Sequence, residues 1–130
     1  MGQEYVNRPD ESLIKAVGAF GGGIASTGGT CGALLGGIAL ISSLYARGNL
    51  NEKDDPRMWR LSYKFARRFE NIAEKYGGSN CREIARVDWS NKGAAIEFHT
   101  NPGSRRIICA ELIGDLAYEL GEIMEKHSEK

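Results

Sequence analysis

Glycine dominates one stretch of the chain, where nine of the twenty residues from 18 to 37 are glycine. This density favours left-handed or closely approached backbone over regular secondary structure. The stretch therefore separates a short helical segment before it from a strongly apolar segment after it. We expect Gly32 and Gly36, four residues apart, to lie on one helix face and to let a second helix pack closely there.

The size and charge of the chain exclude several classes of protein. Its 130 residues predict a single helical domain, with residues 1–9 as a flexible N-terminus. Seventeen basic residues balance seventeen acidic ones, so no net positive charge attracts nucleic acid or a membrane surface. The N-terminus has no basic segment followed by an apolar run, which predicts a cytoplasmic protein. The apolar run 31–46 would cover only about 24 Å as a helix, which predicts a buried helix rather than a membrane span.

Four main helices are expected, and they predict an all-α fold: a helical bundle with a central hydrophobic helix and a glycine-rich loop. Asp10 is a good N-cap for the first helix, which ends at the glycine cluster. The second helix begins near Cys31, with Thr30 as its cap, and is apolar on nearly every face. A helix of that kind belongs in the middle of a bundle.

The third helix starts at Asp55-Pro56, a cap followed by proline at the first helical position. Its apolar residues recur every three or four positions, and Gly77-Gly78 ends it. Ser79 is then expected to cap a short turn, and the segment 87–100 is expected to be a loop or hairpin. The last helix opens after Asn101-Pro102. Its inward stripe is Cys109, Leu112, Leu116, Leu120 and Ile123.

The three cysteines, Cys31, Cys81 and Cys109, each lie close to the predicted start of a helix. A thiol there faces unpaired backbone N–H groups and the positive end of the helix dipole, which favours the thiolate. We therefore treat all three as candidate redox, cofactor-binding and metal-ligating residues, provided that their sulfurs lie close together. The alternative is that they are buried core residues of a non-enzymatic helical binding module that forms a homodimer.

The segment 23–30 has the glycine spacing of a phosphate-binding loop, but Gly29 stands where such a loop has lysine. The missing lysine argues against nucleotide binding. The backbone N–H groups of the loop could still hold a smaller anion or a cofactor, or its glycines could simply let the chain pass close beside a helix. The candidate residues of an anion or cofactor loop are Gly22, Gly23, Gly28, Gly29 and Thr30. His99 and His127 have no ligand spacing and are interpreted as surface or loop histidines.

Four segments together resemble a known family. They are the run 20–24, the run Thr30-Cys31-Gly32-Ala33 that continues to residue 37, the run 80–84, and Cys109 at the opening of the last helix. This pattern resembles the C_GCAxxG_C_C family of small bacterial redox-active proteins, over roughly residues 11 to 125. The resemblance implies a small helical domain whose cysteines gather at one site, for electron transfer or cluster binding beside larger oxidoreductases.

The chain departs from the family pattern in two places. No cysteine precedes Cys31, where the family has a leading one, and Thr30 stands where the family has glycine. A four-thiolate iron–sulfur cluster would therefore need a further ligand from another residue, a small molecule or a second chain. The function predicted is a redox accessory protein that uses its cysteines as iron–sulfur ligands or as a thiol/disulfide switch. Its expected partner is an oxidoreductase or another electron-transfer protein.

Overall fold

The computed structural model describes residues 2–127, and this range contains seven α-helices and no named strand. The helices are α1 (Gly2–Tyr5), α2 (Glu11–Ala16), α3 (Gly32–Tyr45), α4 (Arg57–Glu74), α5 (Cys81–Ile84), α6 (Lys92–Thr100) and α7 (Arg106–His127). A 3₁₀ turn at Gly18–Phe20 follows α2. The predicted all-α fold is confirmed. Within the described range, none of the helices combines the length and apolar character needed to cross a membrane.

The three long helices α3, α4 and α7 pack against one another and enclose the core. The central position of α3 is confirmed, because it contacts α1, the 3₁₀ turn, α4 and α7. The periodic apolar residues of α4 form its buried face, as the spacing predicts. The most deeply buried side chains of the core are Ile41, Leu61, Phe65, Phe69, Ile84, Leu112 and Ile123. Near one end of this core the short helix α5 packs Ile84 inward, and Cys81 begins that helix.

Three predicted helix caps are wrong by one residue. Cys31 rather than Thr30 is the N-cap of α3, Asn80 rather than Ser79 is the N-cap of α5, and Pro56 rather than Asp55 is the N-cap of α4. The reason for the first is that Thr30 lies in an isolated antiparallel β-bridge with Asn80, which holds it in extended backbone outside the helix. The reason for the second is a capping box, in which Asn80 and Glu83 satisfy each other's backbone N–H groups.

The segment 87–100 is not the predicted loop or hairpin, since most of it is helix α6. The Asn91 side chain accepts a hydrogen bond from the Ala94 N–H at 3.1 Å and so caps the helix. Gly93 lowers the stability of the helix by about 1 kcal/mol relative to alanine. The Asn91 cap and the burial of Phe98 together contribute more than this. At the other end of the chain, α1 lies within the N-terminal segment predicted to be flexible, and Val6 packs on the core. The flexibility itself stays a prediction.

The close helix contact expected at Gly36 is made instead by its neighbour Gly37. A Cβ atom on Gly37 would lie 2.3 Å from the Phe65 ring, whereas a Cβ on Gly36 meets nothing within 4 Å. Gly32 does make a close contact, but with the Phe20 carbonyl rather than with a second helix. The absent side chain at Gly37 therefore allows α3 to approach α4.

Two alanine substitutions at adjacent positions of α3 should have opposite effects on stability. Gly36→Ala is expected to raise the free energy of unfolding by about 0.5–1 kcal/mol, because alanine favours helix where space is open. Gly37→Ala is expected to lower it by about 1–2 kcal/mol, because the new methyl group overpacks Phe65. Urea unfolding of both variants measures the difference. Equal stability of the two would contradict the packing described at Gly37.

Candidate functional site

The β-bridge between Thr30 and Asn80 joins two segments that are fifty residues apart in the sequence. The Cys31 N–H donates across it at 3.1 Å, and the Cys81 N–H donates in the other direction at 2.6 Å. The bridge therefore sets Cys31 and Cys81 side by side at the starts of α3 and α5, where both line the same cavity.

The third cysteine reaches the same place from the first turn of α7. Cys31, Cys81 and Cys109 all line one cavity of about 280 Å³. The rest of the lining is mostly apolar and includes Trp89 and Phe98. All three cysteines are free thiols, and each is partly buried. The structure thus brings all three predicted residues together, and it also places them among apolar side chains, as the alternative of core cysteines predicts.

The surroundings hold two of the thiols in their neutral form. Burial raises the pKa of Cys31 above its ordinary value of 9.0, although the backbone N–H groups of Ala33 and Leu34 oppose this rise. Burial also raises the pKa of Cys109, and negative charge on Cys81 and on Cys31 would raise it further. Burial therefore favours the neutral thiol over the thiolate at Cys31 and Cys109.

The raised pKa values predict a steep pH dependence of thiol alkylation. The thiolate is the nucleophile, so the alkylation rate of Cys31 and Cys109 by iodoacetamide should rise about tenfold per pH unit from pH 7 to 9. It should level off only above pH 9, whereas the unfolded chain in denaturant should level off near the ordinary value. Peptide mass spectrometry measures each site separately. A plateau at pH 8 or below in the folded protein would contradict the burial of these thiols.

Trp89 is a site residue that sequence reasoning missed. Its indole Nε1–H donates a hydrogen bond to Cys81 Sγ at 3.5 Å. The indole ring packs edge-on against Phe98, with ring centroids 5.2 Å apart, so α6 holds it over the cavity. Trp89 was missed because its segment was expected to be an unpacked loop. The one available signal was a large aromatic residue in otherwise polar sequence, which usually marks a buried contact.

The predicted surface position of His99 is confirmed, because its side chain is exposed on α6 beside Trp89. The side chain of His127 lies outside the described part of the chain. His99 does not line the thiol cavity.

Arg105 fixes the start of α7 and with it the position of Cys109. Its Nε–H donates to the Ile84 carbonyl at 2.8 Å, and its Nη2 donates to the Tyr76 carbonyl at 3.1 Å. Its positive charge also opposes the rise in the pKa of Cys109. One guanidinium group therefore ties the last residue of α5 and the chain just after α4 to the first turn of α7. Nothing in the local sequence around residue 105 indicates this long-range role.

The glycine-rich loop winds in the left-handed sense beside the thiols. Five consecutive residues, 22–26, have φ between 52° and 72°. The N–H groups of Gly28 and Gly29 donate to the carbonyls of Gly22 and Gly23, each at 2.9 Å, so these two amides are engaged within the loop. A Cβ atom on Gly23 would lie 2.7 Å from the Cβ of Cys81. The glycines thus let the loop pass close to α5, and anion binding by the loop backbone stays a prediction.

The donor atoms around the cavity do not complete a four-ligand iron–sulfur site. The three cysteines are the only ligand-type side chains in the lining of the cavity, which contains no His, Asp or Glu. The one charged residue of the lining is Arg106. Within residues 2–127, no group of three or more Cys, His, Asp or Glu side chains is arranged to hold a metal ion. A cluster of four ligands therefore does not fit the donors that these residues supply, and ligation by Cys31, Cys81 and Cys109 stays a prediction.

An open apolar groove of about 380 Å³ lies between α2, α3 and α7 and shares Ala33 and Ile113 with the lining of the thiol cavity. Small residues of α3, including Ala33 and Gly36, line its floor. Ile14 and Ile113 at the groove are 59% and 45% exposed. An apolar surface of this kind is compatible with a homodimer, and the homodimer stays a prediction.

Comparison with known families gives one match. The family model described as "Putative redox-active protein (C_GCAxxG_C_C)" matches residues 1–123 of the chain. The match includes all three cysteines, the glycine-rich loop and every element of the thiol cavity. A search of curated proteins and a search of solved structures found no similar protein.

Proposed function

The chain belongs to the family described as "Putative redox-active protein (C_GCAxxG_C_C)", and from this premise we propose that Cys31, Cys81 and Cys109 form a thiol–disulfide exchange site. The observation that carries the proposal is the convergence of the three thiols on one cavity. They come from three segments separated by 50 and 28 residues. A structural role for each cysteine separately would not require the three to meet.

Cys81 is assigned as the attacking thiol, because its environment differs from that of the other two. It occupies the first position of α5, beside the glycine-rich loop, to whose Gly29 carbonyl its own N–H donates at 2.6 Å. It also receives the indole hydrogen bond of Trp89, and such a bond to sulfur strengthens when the sulfur carries negative charge. Burial raises the pKa of Cys31 and of Cys109, so the thiolate forms less readily at these two positions than it would in water.

The exchange proceeds in two steps and needs a disulfide of the form RS–SR as the oxidant. In the first step the Cys81 thiolate attacks one sulfur of the substrate, forms a mixed disulfide with it and releases RS⁻, which takes up a proton. In the second step Cys31 or Cys109 loses its proton and attacks Cys81 Sγ, which releases the second RS⁻. In total two protein thiols become one disulfide, and RS–SR becomes two RSH.

The reverse reaction requires a reductant, and a dithiol oxidoreductase is the partner class that would supply it. Such a partner agrees with the oxidoreductase expected from the sequence. A reducing compartment such as the cytoplasm would keep the three thiols reduced between reactions.

Anaerobic purification followed by oxidation tests the proposal. We expect protein without iron or inorganic sulfide that, on treatment with a small disulfide, loses two thiols per chain. Peptide mapping should then find one intramolecular disulfide that contains Cys81. Iron and sulfide in amounts matching the protein would favour cluster ligation instead. Thiols that stay inert to the disulfide would favour the non-enzymatic binding module.

A further inference from the structure

A second cavity, of about 460 Å³, lies beside the thiol cavity and has a different chemistry. Two arginines, Arg82 and Arg86, line it together with the polar groups of Ser26 and Thr27. We call it the basic pocket. Trp89 lines both cavities, so the two lie next to each other at this residue.

Both arginines are anchored by a single nitrogen. Arg82 donates from Nε to the Gly28 carbonyl at 2.9 Å, and Arg86 donates from Nε to the Glu83 carbonyl at 3.2 Å. Both side chains are exposed, and none of their described hydrogen bonds uses an Nη group, so these groups can reach a ligand in the pocket. Two guanidinium groups held in this way can bind a carboxylate through paired hydrogen bonds.

The backbone, like Trp89, connects the basic pocket with the attacking residue Cys81. Arg82 follows Cys81 directly in the chain, and the Arg82 backbone N–H donates to the Gly28 carbonyl at 3.1 Å. The Cys81 N–H donates to the carbonyl of the next residue, Gly29, at 2.6 Å. Cys81 and Arg82 therefore lie against the same two residues of the glycine-rich loop.

Asp88 also lines the basic pocket, and its charge partly offsets the arginines. Its carboxylate accepts hydrogen bonds from the Ser90 N–H at 3.0 Å and from the Ser90 hydroxyl at 2.5 Å. These bonds direct the Asp88 charge towards Ser90. With two arginines and one aspartate, the pocket keeps an excess of positive charge.

We propose that the basic pocket binds the anionic end of a small, carboxylate-bearing disulfide and thereby presents its sulfur to Cys81 across Trp89. The inference rests on the proposed thiol–disulfide exchange and adds its substrate class. The bound half of the substrate forms the mixed disulfide with Cys81, and the other half leaves as a thiol. The second protein thiol then releases the bound half, so that two protein thiols are oxidised and one substrate disulfide is reduced.

If the basic pocket binds the anionic end of the substrate, the protein should exchange faster with anionic disulfides than with neutral ones, and rate measurements test this. The full-length reduced protein should react faster with glutathione disulfide, which is anionic, than with the neutral disulfide of 2-mercaptoethanol. In the double variant Arg82→Gln, Arg86→Gln the ratio of these rates should fall about fivefold, and the ratio cancels any effect of the substitutions that both disulfides share. Arg67→Gln is the matched control, because Arg67 is an exposed arginine of α4 outside the basic pocket. An unchanged ratio in the double variant would overturn the inference.

Binding without chemistry separates this inference from the proposed function. S-methylglutathione keeps the carboxylates but has no free thiol, and calorimetric titration should detect its binding to the wild type and a loss of affinity in the double variant. Inorganic phosphate is titrated in parallel, and tighter binding of phosphate would replace the carboxylate class with a phosphate class. Absence of S-methylglutathione binding overturns the inference even if exchange occurs. Normal binding with inert thiols leaves the pocket standing and overturns the exchange reaction.

Discussion

Cys81→Ser is expected to abolish disulfide exchange and to leave the rate at the background measured without protein. The serine hydroxyl is nearly the size of the thiol but is far less acidic and cannot form a disulfide. Trp89 keeps an acceptor for its indole N–H in this variant, so the wall of the cavity should be preserved. The rate of thiol release from a small disulfide, followed with a chromogenic thiol reagent, measures the effect.

The matched controls are Cys31→Ser and Cys109→Ser, since these residues line the same cavity. Each should still form the mixed disulfide at Cys81, because neither removes the attacking sulfur. Only the variant that lacks the resolving thiol should accumulate the mixed disulfide, and mass spectrometry identifies it. Exchange at the wild-type rate in Cys81→Ser, with a normal circular dichroism spectrum, would show that Cys81 is not the attacking thiol.

Gly23→Ala is expected to lower the free energy of unfolding by about 2–5 kcal/mol. A residue with φ of 72° disfavours any L side chain by roughly 1–2 kcal/mol. The new Cβ would also lie 2.5 Å from the Gly29 nitrogen and 2.7 Å from the Cys81 Cβ. The first of these neighbours is backbone and cannot rotate away, so overpacking adds about 1–3 kcal/mol. Urea unfolding measures the loss.

Gly21→Ala is the control for Gly23→Ala, because it changes the same loop without strain. Gly21 has φ of −63° and ψ of 159°, and a Cβ there meets nothing within 4 Å. We expect its stability to match the wild type or to exceed it by up to about 1 kcal/mol. Similar stabilities for the two variants would mean that the loop does not pass as close to α5 as described. The alkylation rate of Cys81 is a second measurement, made at the thiol site itself. It should change in Gly23→Ala and not in Gly21→Ala.

The parts of the fold that the sequence predicted correctly depend on local patterns. Helix α4 combines a strict apolar period with clear start and stop signals. Helix α2 begins at the predicted cap Asp10, whose carboxylate accepts a hydrogen bond from the Leu13 N–H at 3.1 Å. Helix α6 was missed because Gly93 and a mixed sequence weaken its local pattern, while the packing of Phe98 against Trp89 stabilises it from outside. Local propensity cannot report a contact that only the tertiary structure supplies.

The three cysteines were identified from the sequence, but their meeting in one cavity was a hypothesis. The contact that brings Cys31 and Cys81 together is the bridge between Thr30 and Asn80, and no local pattern links residues fifty positions apart. Left-handed backbone was expected from the glycines. Its continuation through Ile24, Ala25 and Ser26 was not foreseeable, because L residues rarely adopt it and only the surrounding hydrogen bonds hold it.

A disulfide formed by the proposed exchange would couple the oxidation state of the protein to its resistance to unfolding, because the three thiols are widely spaced in the sequence. Because Cys81 is 50 residues from Cys31 and 28 from Cys109, either disulfide would close a long loop in the denatured chain. The entropy removed by closing such a loop grows only with the logarithm of its length, and both closures correspond to about 4 kcal/mol. The oxidised and reduced proteins would therefore melt at well-separated temperatures whichever thiol resolves the mixed disulfide. Electron supply would thus act as a control on how long each molecule survives proteolysis.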